Sequence, residues 1–543
     1  MKGLMMDTPL SISSIAEHVR KFHAGREIMS VTVDNPAHRY TWGDCIDRSK
    51  QLAKALAGLG LERGDRVATI AWNDYRHLEV YYGVSGGGYV CHTINPRLFP
   101  EQLIFIINHA DDRWLFVDVM FMPLIEKLAE HIKGVEGIVV MTDEAHMPET
   151  ALDNVHCYET LVGNETPDYD WPDLDENSAA ALCYTSGTTG DPKGVLYSHR
   201  SSVLHAFASI APDALNLSSS DTILPVVPLF HVNAWGIPYS AAMTGAKLVL
   251  PGPKMGDGET LYKLLEAEEA SLALGVPTVW LALLQYCATA GVTLDKLDRT
   301  VIGGAAVPRS MIEEFRDKHD VVVIQGWGMT EMSPLGTANT LKAGLESLSP
   351  DEKLDLATKA GRGIYGCELR IVDDEGKELP WDGVAYGALQ VRGPWICSDY
   401  FKLAGSAGSH TPDGWFDTGD VATIDENGYM AITDRTKDVI KSGGEWISSI
   451  ELENTAVGHP AVAEAAVIGV AHPKWTERPL LIIVKAEGAD ISKEEMLEYF
   501  DGKVATWWIP NDVAFVDELP HTATGKIKKI ELRKQFADYA FPE

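Results

Sequence analysis

The residues whose types and spacing best suit chemistry form one string, Tyr184-Thr185-Ser186-Gly187-Thr188-Thr189-Gly190-Asp191-Pro192-Lys193-Gly194. It follows an apolar run at 179–183 and combines hydroxyl side chains, glycines and a lysine. Glycines let the backbone approach an anion closely, and successive N–H groups form a nest for negative charge. Composition alone is equally typical of a solvated loop between strands. The whole string predicts a phosphate-binding loop.

Two other nucleotide-binding patterns are misplaced or missing from the sequence. Residues 361–366 fit G-x-G-x-x-G, but the dinucleotide fingerprint needs a strand before it and a helix after it. Here residues 354–359 are predicted to be helical and 367–372 to form a strand, so we interpret the match as chance. No G-x-x-x-x-G-K-[ST] occurs, which disfavours a P-loop ATPase or motor.

Five further strings follow along the chain. They are Pro228-Leu229-Phe230-His231, Gln325-Gly326-Trp327-Gly328-Met329-Thr330-Glu331, Trp415-Phe416-Asp417-Thr418-Gly419-Asp420, the segment 434–445 that begins Asp434-Arg435-Thr436-Lys437, and Pro520-His521-Thr522-Ala523-Thr524-Gly525-Lys526. With the first string, they give the chain a resemblance, along nearly its whole length, to the adenylate-forming enzymes. That family includes acyl-CoA synthetases, carrier-protein adenylation domains and firefly luciferase. Six such strings in the right order are hard to obtain by chance.

The resemblance implies a reaction in two steps. A carboxylate attacks the α-phosphate of ATP to give acyl-AMP and pyrophosphate, and the thiol of coenzyme A then displaces AMP. ATP, Mg²⁺ and coenzyme A are therefore the implied cofactors and co-substrate, and a small carboxylic acid is the implied partner. The first step brings negative charges together, so we expect catalysis by positioning and electrostatics rather than by acid–base chemistry.

Three charged residues carry most of that implied chemistry. Lys526 is implied to bring positive charge to the carboxylate and the α-phosphate, although in isolation it is typical of a surface lysine. Glu331 is implied to hold Mg²⁺ with the hydroxyl of Thr185 as a second hard ligand; the alternative is a helix N-terminal carboxylate. Asp420 is implied to accept both ribose hydroxyls with its two oxygens; the alternative is a turn aspartate.

One histidine and two tryptophans have both a functional and a packing interpretation. His231 lies in an apolar segment, where a histidine is often a satisfied core residue, but the resemblance implies contact with the substrate carboxylate and phosphate. Trp327 is implied to cover the adenine ring, and Trp235 is implied to lie near the acid. Core packing is the alternative for both tryptophans.

The complete set of residues that the resemblance implies has five parts. They are, for catalysis, Lys526, His231 and Lys441; for ATP and AMP, Thr185, Ser186, Gly187, Thr188, Thr189, Gly190, Lys193, Gly304, Ala305, Gln325, Gly326, Trp327, Thr330, Asp420, Arg435 and Lys437; for the metal, Thr185 and Glu331; for the acyl pocket, Trp235, Gly303 and Gly328; for coenzyme A and thioester formation, Lys441, Ser442, Gly443, Gly444 and Trp446. The C-terminal domain is implied to rotate about Asp434 after adenylation, which removes Lys526 and presents residues 441–446 to the thiol.

The sequence leaves the identity of the acid open. The chain is most similar to the medium- and long-chain fatty acyl-CoA synthetases and, within them, to bacterial ligases of short acids such as 3-methylmercaptopropionate. Bulky Trp235 and Trp327 suit a short pocket, and they suit a long tunnel with a movable tryptophan gate equally well. A catalytically silent nucleotide-binding regulator is disfavoured because Lys526, Glu331 and Asp420 are all present. Luciferase-type oxidation is a third alternative that the motifs do not exclude.

Charge and cysteine content restrict the partners. The 543 residues carry 46 Lys and Arg against 78 Asp and Glu, a formal net charge of −32, which disfavours nucleic acid and anionic membrane surfaces. Seven cysteines without a C-x-x-C pattern predict free thiols in a reducing cytoplasm, and no signal peptide is predicted. The charge-free stretches 222–246 and 270–294 are predicted to be buried segments rather than membrane spans. A homodimer is left open.

The elements that must position these residues follow a simple order. Strands alternating with helices up to about residue 361 predict parallel βαβ units, and short strands with turns between them predict a β-rich subdomain at about 361–433. Residues 434–543 mix helices and strands and are predicted to form a small α+β domain. The predicted fold class is α/β, with a large domain at 1–433 and a mobile C-terminal domain hinged at Asp434.

Overall fold

Strands alternate with helices along the first 301 residues, as the sequence predicts. The structure is a computed structural model and describes Met1 and residues 3–185, 191–403, 409–435, 438–442, 445–521 and 527–541, with 445 and 446 described by their backbone alone. The chain divides into two units. The first comprises Met1–Val301, Gly328–Gly336 and Gly393–Ser406, and the second comprises Ile302–Trp327, Thr337–Arg392 and Ala407–Glu543.

Two sheets form the core of the first unit. One has the order β7-β6-β5-β3-β4-β8-β9 and is parallel except for the hairpin β8–β9. The other has the order β13-β12-β10-β11-β1-β2, in which β1–β2 is the antiparallel pair at the edge. The strands are β1 (Glu27–Ser30), β2 (His38–Thr41), β3 (Arg66–Ile70), β4 (Val90–Thr93), β5 (Asp112–Asp118), β6 (Gly137–Met141), β7 (Val155–Cys157), β8 (Ala179–Thr185), β9 (Lys193–Ser198), β10 (Thr222–Pro225), β11 (Lys247–Leu250), β12 (Leu272–Gly275) and β13 (Arg299–Ile302).

Helices on these sheets begin at residues suited to capping. Thr41 and Asp44 form a reciprocal capping box at the start of the helix Trp42–Gly58, which satisfies two backbone N–H groups that would otherwise lack partners. Every residue of the helix Tyr75–Gly86 is buried. The helices of this unit are Ile12–Phe22, Trp42–Gly58, Tyr75–Gly86, Pro100–Ala110, Met122–Leu128, Tyr158–Gly163, His199–Ser209, Ile237–Thr244, Gly258–Ala267 and Pro277–Ala290.

The second unit is rich in antiparallel strands. β17–β20 form a meander with neighbours paired in chain order, and β22-β21-β24-β23 form a further sheet that β25 joins in parallel with β24. The strands are β14 (Val322–Gly328), β15 (Leu335–Ala338), β16 (Arg362–Gly363), β17 (Glu368–Val372), β18 (Tyr386–Arg392), β19 (Phe416–Ile424), β20 (Met430–Arg435), β21 (Ile440–Ser442), β22 (Glu445–Ile447), β23 (Val462–His472), β24 (Thr476–Lys485) and β25 (Asp512–Phe515).

The C-terminal sheet is covered on both faces. Val467, Leu481 and Ile483 pack in one buried cluster with residues of the helices Ser449–Val457 and Lys493–Tyr499. Their neighbours along the strands point the other way and pack with Leu532 of the helix Lys529–Gln535. Alternation with a period of two sends successive side chains to opposite faces, so both faces need helices. The remaining helices of this unit are Arg309–His319 and Pro350–Ala357.

The observed elements confirm the predicted fold class. The protein is α/β, with a large N-terminal part and a smaller C-terminal part. The pattern at 361–366 follows the helix Pro350–Ala357 and precedes β17, so its order is reversed as predicted. Among the described residues, no helix has the length and apolar character that crossing a membrane requires. The boundary predicted at Asp434 falls inside β20, and the division at that residue stays a prediction.

Candidate active site

The predicted phosphate loop joins the two strands of a hairpin. β8 ends at Thr185, β9 begins at Lys193, and these two residues are register partners. Directly opposed residues of an antiparallel pair have their side chains on the same face, so Thr185 and Lys193 lie side by side at the base of the loop. The other residues predicted for this loop lie outside the described residues: Ser186, Gly187, Thr188, Thr189 and Gly190.

Glu331 lies in a short 3₁₀ helix and is buried. The hydroxyl of Tyr400 donates to its Oε1 at 2.7 Å. The ring centroid of the same tyrosine lies 4.8 Å from Nζ of Lys193. Tyr197, in β9, donates to the carbonyl oxygen of Thr330 at 2.6 Å. These contacts bring Thr330, Glu331 and Lys193 into one cluster with the two tyrosines.

The two residues predicted to hold the metal are of types that fit Mg²⁺. The carboxylate of Glu331 and the hydroxyl of Thr185 are hard ligands, and Mg²⁺ typically takes one or two such protein ligands together with phosphate oxygens. Glu331 is 7% exposed, and the donor to its Oε1 is a neutral hydroxyl. A buried carboxylate is stabilised by a cation, so the ion would suit the site.

His231 precedes a turn with left-handed backbone. The φ angles are +46° at Val232, +51° at Asn233, +46° at Ala234 and +57° at Trp235. Left-handed backbone costs roughly 1–2 kcal/mol for each residue other than glycine, and a β-branched valine is especially disfavoured there. Such strain persists only where the surrounding structure fixes it.

Two buried side chains fix the strained turn and the segment before it. The amide of Asn73 donates to the carbonyl oxygens of Pro225 and Val227 at 2.9 and 2.8 Å, and its own oxygen accepts from the N–H of Leu229 at 2.6 Å. The hydroxyl of Tyr81 donates to Leu229 O and lies 3.2 Å from Oδ1 of Asn233. His231 is thereby presented from a firmly held loop.

The residues predicted for the acyl pocket lie in both units. Trp235 ends the strained turn and is half-buried. Gly328 is also half-buried, and a Cβ there would lie 2.0 Å from the carbonyl oxygen of Pro334, so the position accepts only glycine. Gly303 is buried in the second unit. Whether these three residues line one pocket stays a prediction.

Asp420 belongs to a second cluster, within the second unit. Its Oδ1 accepts from Nε of Arg435 at 2.8 Å. Its Oδ2 accepts from Nε1 of Trp327 at 3.0 Å. Trp327 also packs against a buried apolar cluster, so its hydrogen-bonding and packing roles coexist. The two donors orient the carboxylate of Asp420, and its binding of the ribose hydroxyls stays a prediction.

The remaining nucleotide residues of the second unit are partly exposed. Gly304 has φ +82°, a conformation that glycine adopts without strain, and both Gly304 and Ala305 are exposed. Gly326 is half-buried. Gln325 is buried, and its side-chain Oε1 has no hydrogen-bond partner among the described residues. A buried unpaired polar atom is costly, which fits a ligand donor at this position.

Asp434 is buried in a network of the second unit. Its Oδ2 accepts from the N–H of Ser449 at 2.8 Å, at the start of the helix Ser449–Val457. Lys529 donates to the hydroxyl of Ser449 and pairs with Glu453 at 2.7 Å. Burial raises the pKa of the Asp434 carboxyl, and the Lys529 charge opposes that shift. The predicted hinge residue is thus tied to the helix Lys529–Gln535, which follows the terminal lysine string.

The residues predicted for thioester formation lie on β21 and β22. Lys441 is exposed, and its backbone N–H donates to Oε2 of Glu477 at 3.1 Å. Ser442 is buried and accepts from Arg478 at 3.3 Å. Trp446 is the register partner of Lys441. Gly443, Gly444, Lys437 and Lys526, together with the side chain of Trp446, lie outside the described residues.

Several residues of this site were missed by the sequence predictions. Tyr400, Tyr197, Asn73, Tyr81 and Lys529 contact predicted residues or the loops that carry them. Among them, Lys529 had the most accessible signal, because it lies three residues after Lys526. The tyrosines and Asn73 act across long sequence separations and belong to no string with a recognisable spacing.

Known proteins resemble this chain along nearly its whole length. A family model described as "AMP-binding enzyme" matches residues 15–401, and the model of the family's C-terminal domain matches 451–526. A 3-methylmercaptopropionyl-CoA ligase of Ruegeria lacuscaerulensis is 53% identical over 99% of both chains. A medium-chain-fatty-acid–CoA ligase of Ectopseudomonas oleovorans is 53% identical over 99% of this chain and 98% of its own.

A solved structure extends the comparison to the fold. An anthranilate CoA ligase, crystallised in complex with anthranoyl-AMP, superposes with a TM-score of 0.86 at 25% identity, covering 97% of this chain and 98% of its own. The similarity therefore extends over both units. Because the family models match most of the chain and the relatives match its full length, this chain belongs to the AMP-binding enzyme family.

Proposed function

We propose that this protein is an AMP-forming acid–thiol ligase, which joins a short- or medium-chain acid such as 3-methylmercaptopropionate to coenzyme A. The observation that carries the proposal is the cluster at the phosphate-loop hairpin, where buried Glu331 and the Lys193 ammonium share one tyrosine. A carboxylate for a hard cation and an ammonium for phosphate are what adenylation of a carboxylate needs. The full-length relatives, which are named as ligases of carboxylic acids and coenzyme A, support the same reaction.

In the first step, the residues of the site bind and orient ATP and the acid. Thr185 and Glu331 would hold Mg²⁺, which when bound supplies positive charge to phosphate oxygens. Asp420 accepts the ribose hydroxyls, and Lys193 contacts phosphate. His231 orients the acid carboxylate from its strained turn. Lys526 supplies the charge that stabilises the α-phosphate as the carboxylate attacks.

In the second step, the smaller C-terminal part changes position. Residues 434–543 rotate about Asp434, which withdraws Lys526 and brings Lys441, Ser442 and Trp446 toward the thiol of coenzyme A. The thiol attacks the acyl carbon of the acyl-AMP, and AMP leaves. The network of Asp434, Ser449 and Lys529 connects β20, which contains the proposed hinge, with the helix Lys529–Gln535, which follows Lys526 in the chain. This connection supports the rotation of residues 434–543 as one body.

The acid and the compartment are the finer parts of the proposal. Relatives named for a thioether acid and for medium-chain fatty acids are equally similar to this chain, and a thioether sulfur packs like a methylene group. A long-chain acid is the alternative, with Trp235 as a movable gate. All seven cysteines are thiols rather than disulfides, which supports a reducing cytoplasm.

The test is AMP formation that depends on coenzyme A, measured against acids from acetate to palmitate with 3-methylmercaptopropionate included. We expect kcat/KM to rise up to about four to six heavy atoms beyond the carboxyl and then to fall, since each buried CH₂ contributes roughly 0.8 kcal/mol, about a fourfold effect. An optimum at twelve carbons or more would replace the short acid by the long-chain alternative. If no acid supports AMP formation, the ligase activity is excluded and a catalytically silent nucleotide-binding regulator is the remaining interpretation.

Half-reactions test the roles of the C-terminal residues. Lys526→Ala should reduce acyl-AMP formation by orders of magnitude and leave thioester formation from preformed acyl-AMP nearly intact. Asp434→Pro, which fixes φ near −65°, should do the reverse. Equal losses in both half-reactions for either variant would contradict the two-position scheme.

A further inference from the structure

Tyr400 contacts two residues of opposite charge at the proposed ATP site. Its hydroxyl donates to Oε1 of Glu331 at 2.7 Å, and its ring centroid lies 4.8 Å from Nζ of Lys193. Tyr400 itself is 7% exposed. A ring face attracts a cation through its quadrupole, so a single side chain restrains both the carboxylate and the ammonium group.

Backbone hydrogen bonds also join the segment around Tyr400 to Glu331 and to the residue after Lys193. The N–H of Cys397 donates to the carbonyl oxygen of Glu331 at 2.8 Å, and the N–H of Phe401 donates to the carbonyl oxygen of Gly194 at 2.8 Å. Gly194 directly follows Lys193 in β9. The segment 397–401 therefore connects the Glu331 helix with the hairpin by backbone bonds as well as by the tyrosine.

The chemistry of the hydroxyl suits orientation of a metal ligand. A tyrosine O–H donates one hydrogen bond and carries no charge at neutral pH, so it fixes one carboxylate oxygen without neutralising the group. An arginine or lysine in its place would compensate the charge that a divalent cation needs. Donors that orient a metal ligand in this way typically change metal affinity or activity by 10–100-fold when they are removed.

We propose that Tyr400 is a positioning residue for the ATP site, whose hydroxyl orients Glu331 toward Mg²⁺ and whose ring orients Lys193 toward phosphate. This inference rests on the proposed function for the identity of the ligand. Substitutions can test the roles of the hydroxyl and of the ring separately, because phenylalanine retains the ring and lacks the hydroxyl, whereas leucine lacks both.

The experiment compares Tyr400→Phe and Tyr400→Leu with a matched control, Tyr158→Phe. The control also removes a hydroxyl that a buried tyrosine donates to a buried carboxylate, Oε2 of Glu79 at 2.8 Å, but neither residue belongs to the proposed site. Binding of Mn²⁺ to the enzyme–ATP complex, followed by electron paramagnetic resonance, reads out the metal site without turnover. Mg²⁺ half-saturation of acid-dependent pyrophosphate release and the KM for ATP complete the set.

Tyr400→Phe should weaken Mn²⁺ binding and raise the Mg²⁺ half-saturation about 10-fold or more, with the KM for ATP unchanged at saturating Mg²⁺. Tyr400→Leu should add a rise of roughly three- to tenfold in the KM for ATP, because Lys193 loses the ring. Tyr158→Phe should keep its Mn²⁺ affinity within about twofold of wild type. In a Glu331→Gln background, Tyr400→Phe should have no further effect on Mn²⁺ binding, because the two act as one unit.

Three results would overturn the proposal. They are unchanged Mn²⁺ affinity in Tyr400→Phe, an equal loss in Tyr158→Phe, and a full additional loss in the Glu331→Gln background. If Tyr400→Leu fails to fold, the phenylalanine variant and the double variant still decide. Failure of the proposed function is distinguishable, because wild type would then release no pyrophosphate with any acid while Mn²⁺ binding with ATP still measures the role of Tyr400.

Discussion

The two carboxylates proposed to bind ATP are held by partners of different kinds. Glu331, in the first unit, accepts a neutral tyrosine hydroxyl. Asp420, in the second unit, accepts the guanidinium of Arg435 and the indole N–H of Trp327. A carboxylate with a neutral partner keeps its charge for a cation, whereas one beside a guanidinium is compensated and suits neutral hydroxyl donors. This difference supports the proposal that Glu331 binds the cation and Asp420 the ribose.

The contrast extends to the supports around these residues. In the first unit, amide and hydroxyl groups of Asn73 and Tyr81 hold the turn that follows His231. In the second unit, the Lys529–Glu453 ion pair lies beside Asp434. Loss of a neutral hydrogen-bond partner leaves an unsatisfied polar group, whereas loss of one member of a buried ion pair leaves an uncompensated charge. Removal of one partner should therefore lower the free energy of unfolding more in the second region than in the first.

The largest expected effect separates the two carboxylates. Glu331→Gln keeps the shape of the side chain and removes the charge, so acyl-AMP formation should fall by about 10²–10³ in kcat, as for other groups that stabilise transition-state charge. Asp420→Asn should act mainly on binding and raise the KM for ATP by about 10–100-fold, since hydrogen bonds to a charged group contribute about 1.5–3 kcal/mol.

Single-turnover and steady-state kinetics of pyrophosphate release measure both variants. Mg²⁺ dependence is the internal control, because only Glu331→Gln should shift the Mg²⁺ half-saturation. A shift in the Asp420→Asn variant as large as in Glu331→Gln would erase the distinction between the two carboxylates.

The next effect concerns stability and compares an ionic with a neutral support. Lys529→Met leaves Glu453 as an uncompensated buried charge, which should lower the free energy of unfolding by about 3–5 kcal/mol. Tyr81→Phe removes a hydroxyl that bonds Leu229 O and Asn233 and should cost only about 1–2 kcal/mol. Urea unfolding of both variants gives the two values.

A double variant controls for packing at the ionic support. Lys529→Met with Glu453→Gln removes both charges, and it should recover part of the loss because a neutral pair leaves no unpaired charge. A Lys529→Met variant within about 1 kcal/mol of wild type would show that the ion pair contributes little.

A third effect appears only at acid pH and concerns His205, another neutral buried group of the first unit. His205 is fully buried, and its Nε2 accepts from the N–H of Leu335 at 3.0 Å, while burial lowers its pKa from 6.5 to about 3. Between those values the unfolded chain binds a proton that the folded chain does not. The stability that His205 contributes is therefore present above pH 6.5 and falls by about 1.4 kcal/mol per pH unit below it.

His205→Gln isolates this term, because glutamine retains an acceptor and does not titrate. The stability difference between wild type and variant, from urea unfolding at pH 7.5, 6 and 5, should move in favour of the variant as the pH falls. A difference that stays constant from pH 7.5 to 5 would mean that His205 is not held neutral by burial.

The contrast also explains how far the sequence predicts the site. The hairpin ends, Glu331 and Asp420 follow from strings whose residues are close neighbours in the chain. Tyr400 contacts Glu331 across 69 residues, and Asn73 contacts Pro225 across 152. Such partners are selected by tertiary packing and leave no spacing signal. The left-handed turn opposes the local preferences of Val232 and Ala234, so only the surrounding structure could reveal it.

The smallest effect tests the strained turn by a change that is normally harmful. Ala234 and Ala241 are both fully buried, but Ala234 has φ +46° whereas Ala241 lies in the right-handed helix Ile237–Thr244. Ala241→Gly should lower the free energy of unfolding by about 1–2 kcal/mol, from the entropy of glycine in a helix and the loss of a buried methyl group. Ala234→Gly loses the same methyl group but relieves roughly 1–2 kcal/mol of left-handed strain.

We therefore expect Ala234→Gly to be neutral or stabilising by up to about 1 kcal/mol, which places the two variants about 2 kcal/mol apart in urea unfolding. The two positions have the same residue type and the same burial. The difference between their free energies of unfolding therefore isolates the effect of the backbone conformation. If both glycines destabilise the protein equally, the turn is not strained in solution. In that case Asn73 and Tyr81 would support an ordinary loop, and the way in which His231 is presented would need another explanation.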